Sequence, residues 1–287
     1  MRFRSRASGS GEDALLTLRT ASLVLAISLL LAPASFAQSK LIVTVIDQKT
    51  GEPITDLSDR NFNVVDDKTR LRVDELEFKR DSIDIMLLID TSLVGEMVKP
   101  LAGAFINELG EKEQMAIVSY HDSADLIQDF TASKQLLHQA AEKVQYGNNP
   151  RVLDALYAAI DGGFTSSAGR RVIVVLSAGV EGRSRVTEGE VLRLARRRGV
   201  SIFPVYLIGA ERGMFQRLSD FSGGALFAVR RLKLEPPQLS SRVYSVLRGY
   251  YELLVSGVQT MGNRIEVTVE GLPKSKRKVH ATGLPLE

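Results

Sequence analysis

The chain of 287 residues carries 37 Lys and Arg against 34 Asp and Glu, a net charge of +3, and it has neither cysteine nor tryptophan. Its length admits one large domain or two modest ones, and an apolar content of 44% with 25% charged residues excludes disordered and fibrous classes. Without cysteine there is no disulfide, thiolate nucleophile, cysteine zinc site or iron–sulfur cluster, and the three histidines, His121, His138 and His280, fit no zinc-ligand spacing.

Arg2, Arg4, Arg6 and Arg19 precede an apolar run from Ala21 to Ala32, and Pro33 and small residues follow up to Ala37. A basic start, an apolar stretch of about a dozen residues and small residues before a cut predict a secretory signal peptide over residues 1–37, cleaved after Ala37. The run falls short of the ~20 apolar residues that a transmembrane helix needs; an uncleaved anchor is the alternative. Removing this segment takes away four arginines and two acidic residues, which lowers the net charge to +1. The mature chain is therefore expected in the periplasm or outside the cell, with no stable membrane span, and its charge balance gives no support for nucleic-acid binding.

Residues 38–80 read as β-rich. Leu41, Val43 and Val45 lie at strand spacing, Gly51-Glu-Pro53 makes a turn, and Phe62–Val65 and Leu71–Val73 flank Asp66-Asp67 as a hairpin. From 81 to 249 strands alternate with helices. Ile83–Ile89 is a continuous apolar run of the kind buried on both faces of a parallel sheet, and it ends at Asp90-Thr91-Ser92. Val98, Leu101, Ala102, Phe105 and Leu109 follow at helical spacing. Met115–Val118 and Leu126-Ile127 predict two short strands, Leu136–Val144 a helix, and Asp154–Phe164 another that breaks at Gly162-Gly163.

Val172–Leu176 is a further buried strand. Thr187–Arg198 is a helix with a Thr187/Glu190 capping box and a stop at Gly199. Ile202–Ile208 predicts a strand, Met214–Phe221 a helix, Ala225–Val229 an edge strand, and Pro236-Pro237 opens a last helix. This alternation implies a doubly wound, mostly parallel α/β sheet covered on both faces. Residues 250–287 return to strands at Tyr251–Val255, Ile265–Val269 and Val279–Ala281, with Met261-Gly262-Asn263 between the first two. Neither β-rich flank could bury a core alone, so residues 38–80 and 250–287 are expected to pair in a small β-sandwich beside the α/β body.

The order of Asp90-Thr91-Ser92, Leu153-Asp154-Ala155-Leu156-Tyr157, Val175-Leu176-Ser177-Ala178-Gly179 and Ser222-Gly223-Gly224 resembles the von Willebrand factor A family. With Val43–Asp47 and Leu57–Val64 ahead of the body, the layout is similar to exported bacterial proteins of the VWFA-related type. In that family the top of the sheet usually holds a divalent cation on an Asp-x-Ser-x-Ser motif, a threonine from a second loop and an aspartate from a third. Here Asp90 and Ser92 match the first two positions, while Val94, Pro150 and Ala178 stand at the other three. The resemblance thus implies a degenerate metal-ion-dependent adhesion site. Mg²⁺ prefers near-octahedral oxygen ligands, so Mg²⁺ or Mn²⁺ binding on Asp90 and Ser92 is disfavoured and no cofactor is expected. Thr91, Ser177 and Glu181 are the oxygen-bearing neighbours that could compensate.

Other chemistry is weaker. Ser119-Tyr120-His121-Asp122-Ser123 holds triad residue types, but triads assemble from separated loops, and no Gly-x-Ser-x-Gly elbow is present; a turn between strands explains the segment. Gly223-Gly224 lacks dinucleotide-fingerprint spacing and there is no Walker loop. Arg193 and Arg196–Arg198 sit at a helix C-terminus, where cations interact favourably with the dipole; with Arg170, Arg171, Arg183 and Arg185 they form either a basic patch or, as favoured here, solvated charge. Lys274, Lys276, Arg277 and Lys278 lack interleaved aromatics and read as a hairpin tip. The expected function is non-catalytic recognition of a protein partner through the loops Asp90–Glu96, Gly147–Arg151 and Ala178–Thr187, at the C-terminal edge where such sheets bind ligands. A divalent-cation-dependent adhesin and a structural envelope component are the alternatives.

Overall fold

The computed structural model describes residues 38–165, 169–257, 265–272 and 279–286. The segment read as a signal peptide, the Met261-Gly262-Asn263 turn and the Lys274–Lys278 tip lie outside them.

Three strands come first: β1 (Gln38–Asp47), β2 (Phe62–Asp66) and β3 (Thr69–Lys79). The turn between β2 and β3 places Asp67 and Lys68 at positive φ, as a tight hairpin requires. The α/β body then runs β4 (Ile83–Asp90), α1 (Lys99–Glu108), β5 (Gln114–Tyr120), β6 (Ala124–Thr131), α2 (Lys134–Glu142), α3 (Val152–Gly162) and β7 (Arg170–Ser177). It continues with α4 (Glu188–Arg198), β8 (Val200–Tyr206), α5 (Arg212–Asp220), β9 (Phe227–Ala228), a single-turn α6 (Val229–Leu232) and α7 (Pro236–Leu247). The chain closes with β10 (Tyr250–Ser256), β11 (Ile265–Val269) and β12 (Val279–Leu286).

The body sheet has the order β6-β5-β4-β7-β8-β9, parallel except for β6. Each central strand feeds two cores because its side chains alternate. Ile85, Leu87 and Ile89 of β4 pack with Leu101, Phe105, Leu239 and Val243 of α1 and α7. Met86 and Leu88 pack on the other face with Leu156, Ile160, Leu194 and Phe215 of α3, α4 and α5. The capping box at the start of α4 is present, and Gly199 ends that helix in the left-handed region at φ 62°. The expected edge strand over Ala225–Val229 shrinks to Phe227–Ala228, because the chain turns into α6 at Val229.

The flanking strands meet in one six-stranded antiparallel sheet, β11-β2-β3-β10-β1-β12. β3 serves both halves, with Thr69–Leu71 on β2 and Arg72–Lys79 on β10. Asp74 is the extra residue of a bulge opposite Leu254 and Val255, and such bulges bend a sheet. The halves close over Leu41, Val43, Phe62, Val64, Leu253 and Ile265, and a Cβ built on Gly283 of β12 would lie 2.8 Å from Val267 of β11. Tyr251 fills the middle, with Phe62 and Phe78 edge-on to its ring, while its hydroxyl donates to the Ile54 carbonyl and accepts from the Leu57 amide.

This sheet sits on the body through Gly223 and Gly224. The hydroxyls of Thr44 and Thr282 donate to the carbonyls of Gly223 and Gly224 at 2.7 and 2.5 Å. A Cβ on Gly224 would lie 1.8 Å from the Ile202 carbonyl oxygen, and one on Gly223, already at φ 69°, would meet Leu284 at 2.6 Å. The two glycines therefore serve close backbone approach. Gly224→Ala should lower the unfolding free energy by about 3 kcal/mol in urea titration, whereas Gly162→Ala, with nothing near its Cβ, should be neutral or stabilising by up to ~1 kcal/mol.

Glu252 on β10 accepts from Lys40 at 3.1 Å and Lys79 at 3.0 Å on the two neighbouring strands. Burial would raise the pKa of its carboxyl, but the two lysines outweigh burial and hold it below the usual carboxylate value. A depressed acid stabilises the fold above its unfolded pKa and loses that contribution as pH falls. Glu252→Gln should thus lower stability by about 1 kcal/mol at neutral pH, with the gap to wild type closing as pH drops through the carboxylate range in a series of melts.

Candidate functional site

β4 lies between β5 and β7, and the crossovers leaving it and leaving β7 run to opposite sides, which opens a crevice at their C-terminal ends. Asp90 closes β4 there with no exposed surface. Its Oδ1 accepts from the Ser92 amide at 3.0 Å and its Oδ2 from the Ala178 amide at 3.0 Å. A buried carboxylate needs such donors, and these two tie the end of β4 to the end of β7. The first loop turns back tightly enough that a Cβ on Gly95 would lie 2.2 Å from the Asp90 carbonyl oxygen. Beside it, the Tyr120 hydroxyl donates to the Leu176 carbonyl at 3.3 Å, and burial first, then the Asp90 charge, pushes its pKa well above that of an ordinary tyrosine.

The second loop is fastened to the first by the Gly147 amide, which donates to the Thr91 carbonyl at 2.8 Å. Gly147 lies against the His121 ring, where a Cβ would sit 2.3 Å from Nδ1. Asp122 accepts from the Asn148 amide at 3.0 Å and the Asn149 side chain at 2.5 Å. These bonds hold the Asp122 carboxyl below its usual pKa, the Asn149 side chain contributing most. His121 Nδ1 accepts the Asp122 amide at 2.7 Å, and the Ser123 hydroxyl donates to Asp125 instead of the imidazole. The residues that read as triad types thus position the second loop.

In the third loop the Gly182 amide donates to the Pro150 carbonyl at 2.9 Å, and the Ile208 amide donates to the carbonyl of Ala178 at 2.9 Å. Glu181 caps α3, its oxygens accepting from the amides of Val152 at 3.0 Å and Ser184 at 2.6 Å, and a carboxylate there also meets the positive end of the helix dipole. Asp154 returns the contact by accepting from the amides of Arg185 and Val186.

The structure therefore brings Asp90, Ser92 and Ala178 together, with Pro150 on the adjoining loop and the side chain of Val94 partly exposed. Of the family's five ligand positions two carry oxygen, and both Asp90 oxygens already accept amides. The three candidate substitutes are engaged as well: Thr91 donates to the Tyr120 carbonyl, Ser177 accepts from the Gly179 amide, and Glu181 caps α3. Among the described residues no group of three or more His, Asp or Glu is placed to hold a metal ion. Asp90 thus caps its own loop, whereas the Ser92 Oγ is buried and has no hydrogen-bond partner.

One feature escaped the sequence. Leu93 and Val94 on the first loop, Met97 just after it and Tyr146 beside the second are 75%, 42%, 47% and 44% exposed. The signal available was Leu93-Val94 and Met97 in a segment expected to be a loop.

Proximal thread matrix protein 1 from the mussel byssus shares the fold at 15% identity with a TM-score of 0.53, over 63% of this chain and 50% of that one. The same mussel protein with a zinc-occupied MIDAS motif gives 16% and 0.52 over the same shares. An aerotolerance-related membrane protein from Bacteroides fragilis matches at 12% identity and a TM-score of 0.47, over 58% of this chain and 98% of that one. This chain thus spans about half of the mussel protein. Comparison with curated proteins finds no match. The family model for the von Willebrand factor type A domain matches residues 84–233, more than half of the chain, and the protein belongs to that family.

Proposed function

We propose that this is an exported, non-catalytic module that binds a protein partner through the loops Asp90–Glu96, Gly147–Arg151 and Ala178–Thr187, without a resident metal ion. Its family membership makes it an interaction-type domain. The observation that carries the placement is the exposed apolar group Leu93, Val94, Met97 and Tyr146 on the loop crest. Aromatic and methionine side chains are enriched in the cores of protein interfaces, and clustered exposed apolar groups mark contact sites. The main-chain bonds that join the three loops support a preformed surface, which lowers the entropic cost of association. Export is supported by the basic, apolar and small-residue pattern of residues 1–37. Among the described residues no helix is long and apolar enough to cross a membrane.

A cation held by Asp90 and Ser92 alone would keep most of its waters and bind weakly, in contrast to the mussel protein with its zinc-occupied motif. The buried, unpartnered Ser92 hydroxyl favours the second reading, a divalent-cation-dependent adhesin. Thermal melts separate the two. In EDTA and in millimolar Mg²⁺, Mn²⁺ or Zn²⁺ the midpoints should agree within about 1 °C; a rise of several degrees, as saturating ligand produces, that Asp90→Ala removes would establish the adhesin.

The docking surface has its own test. A photo-crosslinking residue at position 93 should give a discrete protein adduct in the cell of origin, and one at position 126, on β6, should not. Met97→Asp should abolish that adduct while changing stability by no more than ~0.5 kcal/mol. Equal crosslinking from both positions would remove the crest as the site.

A further inference from the structure

Five arginines from two separate segments meet at the other end of the sheet. Arg170 and Arg171 open β7 at the end opposite Ala178, and Arg196, Arg197 and Arg198 close α4. Together they line one open groove of about 430 Å³, in which Asp81 is the one carboxylate among the described residues. Arg183, Arg185 and Arg193, grouped with them in the sequence, do not line it.

Arg170 forms the buried part of the groove. Its guanidinium donates to the Leu247 carbonyl at 3.0 Å and the Thr44 hydroxyl at 3.4 Å, and it lies 4.6 Å from the centre of the Tyr250 ring. Its Nε is buried with no partner. Burial lowers its pKa to about 10, while Tyr250 and Asp81 act in the opposite direction. Asp81 offsets this only in part, since its Oδ2 accepts the Tyr250 hydroxyl at 2.5 Å.

The neighbouring guanidiniums bring further positive charge to the groove. Arg171 donates to the main-chain carbonyl of Arg198 at 2.9 Å, and Arg198 reaches the exposed Asp161 at 3.4 Å. Like charges gathered in one groove repel, and a bound anion relieves each of them at once. Guanidinium forks match the tetrahedral oxygens of phosphate, often with two parallel hydrogen bonds. The volume falls in the range of small-ligand clefts.

We infer that this groove binds a soluble, multiply charged phosphate anion, with Arg171 and Arg197 at its mouth and Arg170 beneath. The buried position of Arg170 beneath the surface favours a small phosphate that can enter over a headgroup fixed in a bilayer plane. The site lies away from the loop crest, so it stands or falls independently of the partner-binding reading.

Calorimetric titration of the purified chain with tripolyphosphate, at constant ionic strength against a chloride control, tests this. Saturating binding should raise the melting midpoint by about 5 °C or more. The double variant Arg171→Ser/Arg197→Ser should bind at least tenfold more weakly while its ligand-free melt stays within about 2 °C of wild type. Arg60→Ser, in the turn just before β2, should bind as wild type does. No binding at millimolar tripolyphosphate, or equal affinity in the double variant, overturns the site. Binding to phosphatidylglycerol vesicles without binding to tripolyphosphate overturns the soluble ligand.

Discussion

The Asp90 carboxylate is buried at the centre of the sheet, and a charge in such a place is tolerated only when fixed donors surround it. Two main-chain amides do so, one from its own loop and one from Ala178, 88 residues later. Much of the upper surface follows from that requirement. The first loop must fold back on Asp90, which leaves no room for a side chain at Gly95. β7 must end where its next amide faces the carboxylate. The second loop then hangs from Thr91 through Gly147, and the third from Pro150 through Gly182. Main-chain amides and the carboxylates of Asp90, Asp122, Asp154 and Glu181 hold the loops, while Leu93, Val94, Met97 and Tyr146 face outward.

The two ends of the same sheet thus differ in character. At the C-terminal end, buried polar groups are mostly satisfied internally and apolar side chains face outward. At the opposite end, five arginines and Asp81 line one open groove. The bent sheet covers the flank between them, fixed by hydroxyls that reach glycine carbonyls where any larger residue would keep the backbones apart.

Much of the architecture was legible in the sequence, and the reasons are local. Ile83–Ile89 and Val172–Leu176 are continuous apolar runs because helices cover both faces of their strands, and Thr187, Glu190 and Gly199 mark the ends of α4 by their own hydrogen bonds and backbone angle. Asp90, Pro150 and Ala178 could be placed near one another because the family pattern orders them. What stayed hidden depends on partners distant in sequence. Glu181 looked like a spare ligand until the start of α3, 29 residues earlier, proved to use both of its oxygens with Ser184. The arginines of β7 and α4 could be grouped as one possible patch, but nothing in either segment tells that these five share a groove while Arg183, Arg185 and Arg193 do not line it. β9 was read too long because its apolar run continues into α6.

The bent sheet also governs the order of assembly. β1 lies between β10 and β12, so neither of its neighbours exists until the whole α/β body has been synthesised. At translation rates of ~5–20 residues per second, some 200 intervening residues leave β1 unpaired for roughly 10–40 s. During that time Leu41 to Ile46 is a strand with six apolar or β-branched residues and two open edges, the kind of segment that associates with other chains. The body can close first through contacts near in sequence, and the flanking sheet must follow it. Its slow, non-local pairing makes the last strands of the chain, rather than the first, the step that removes this hazard.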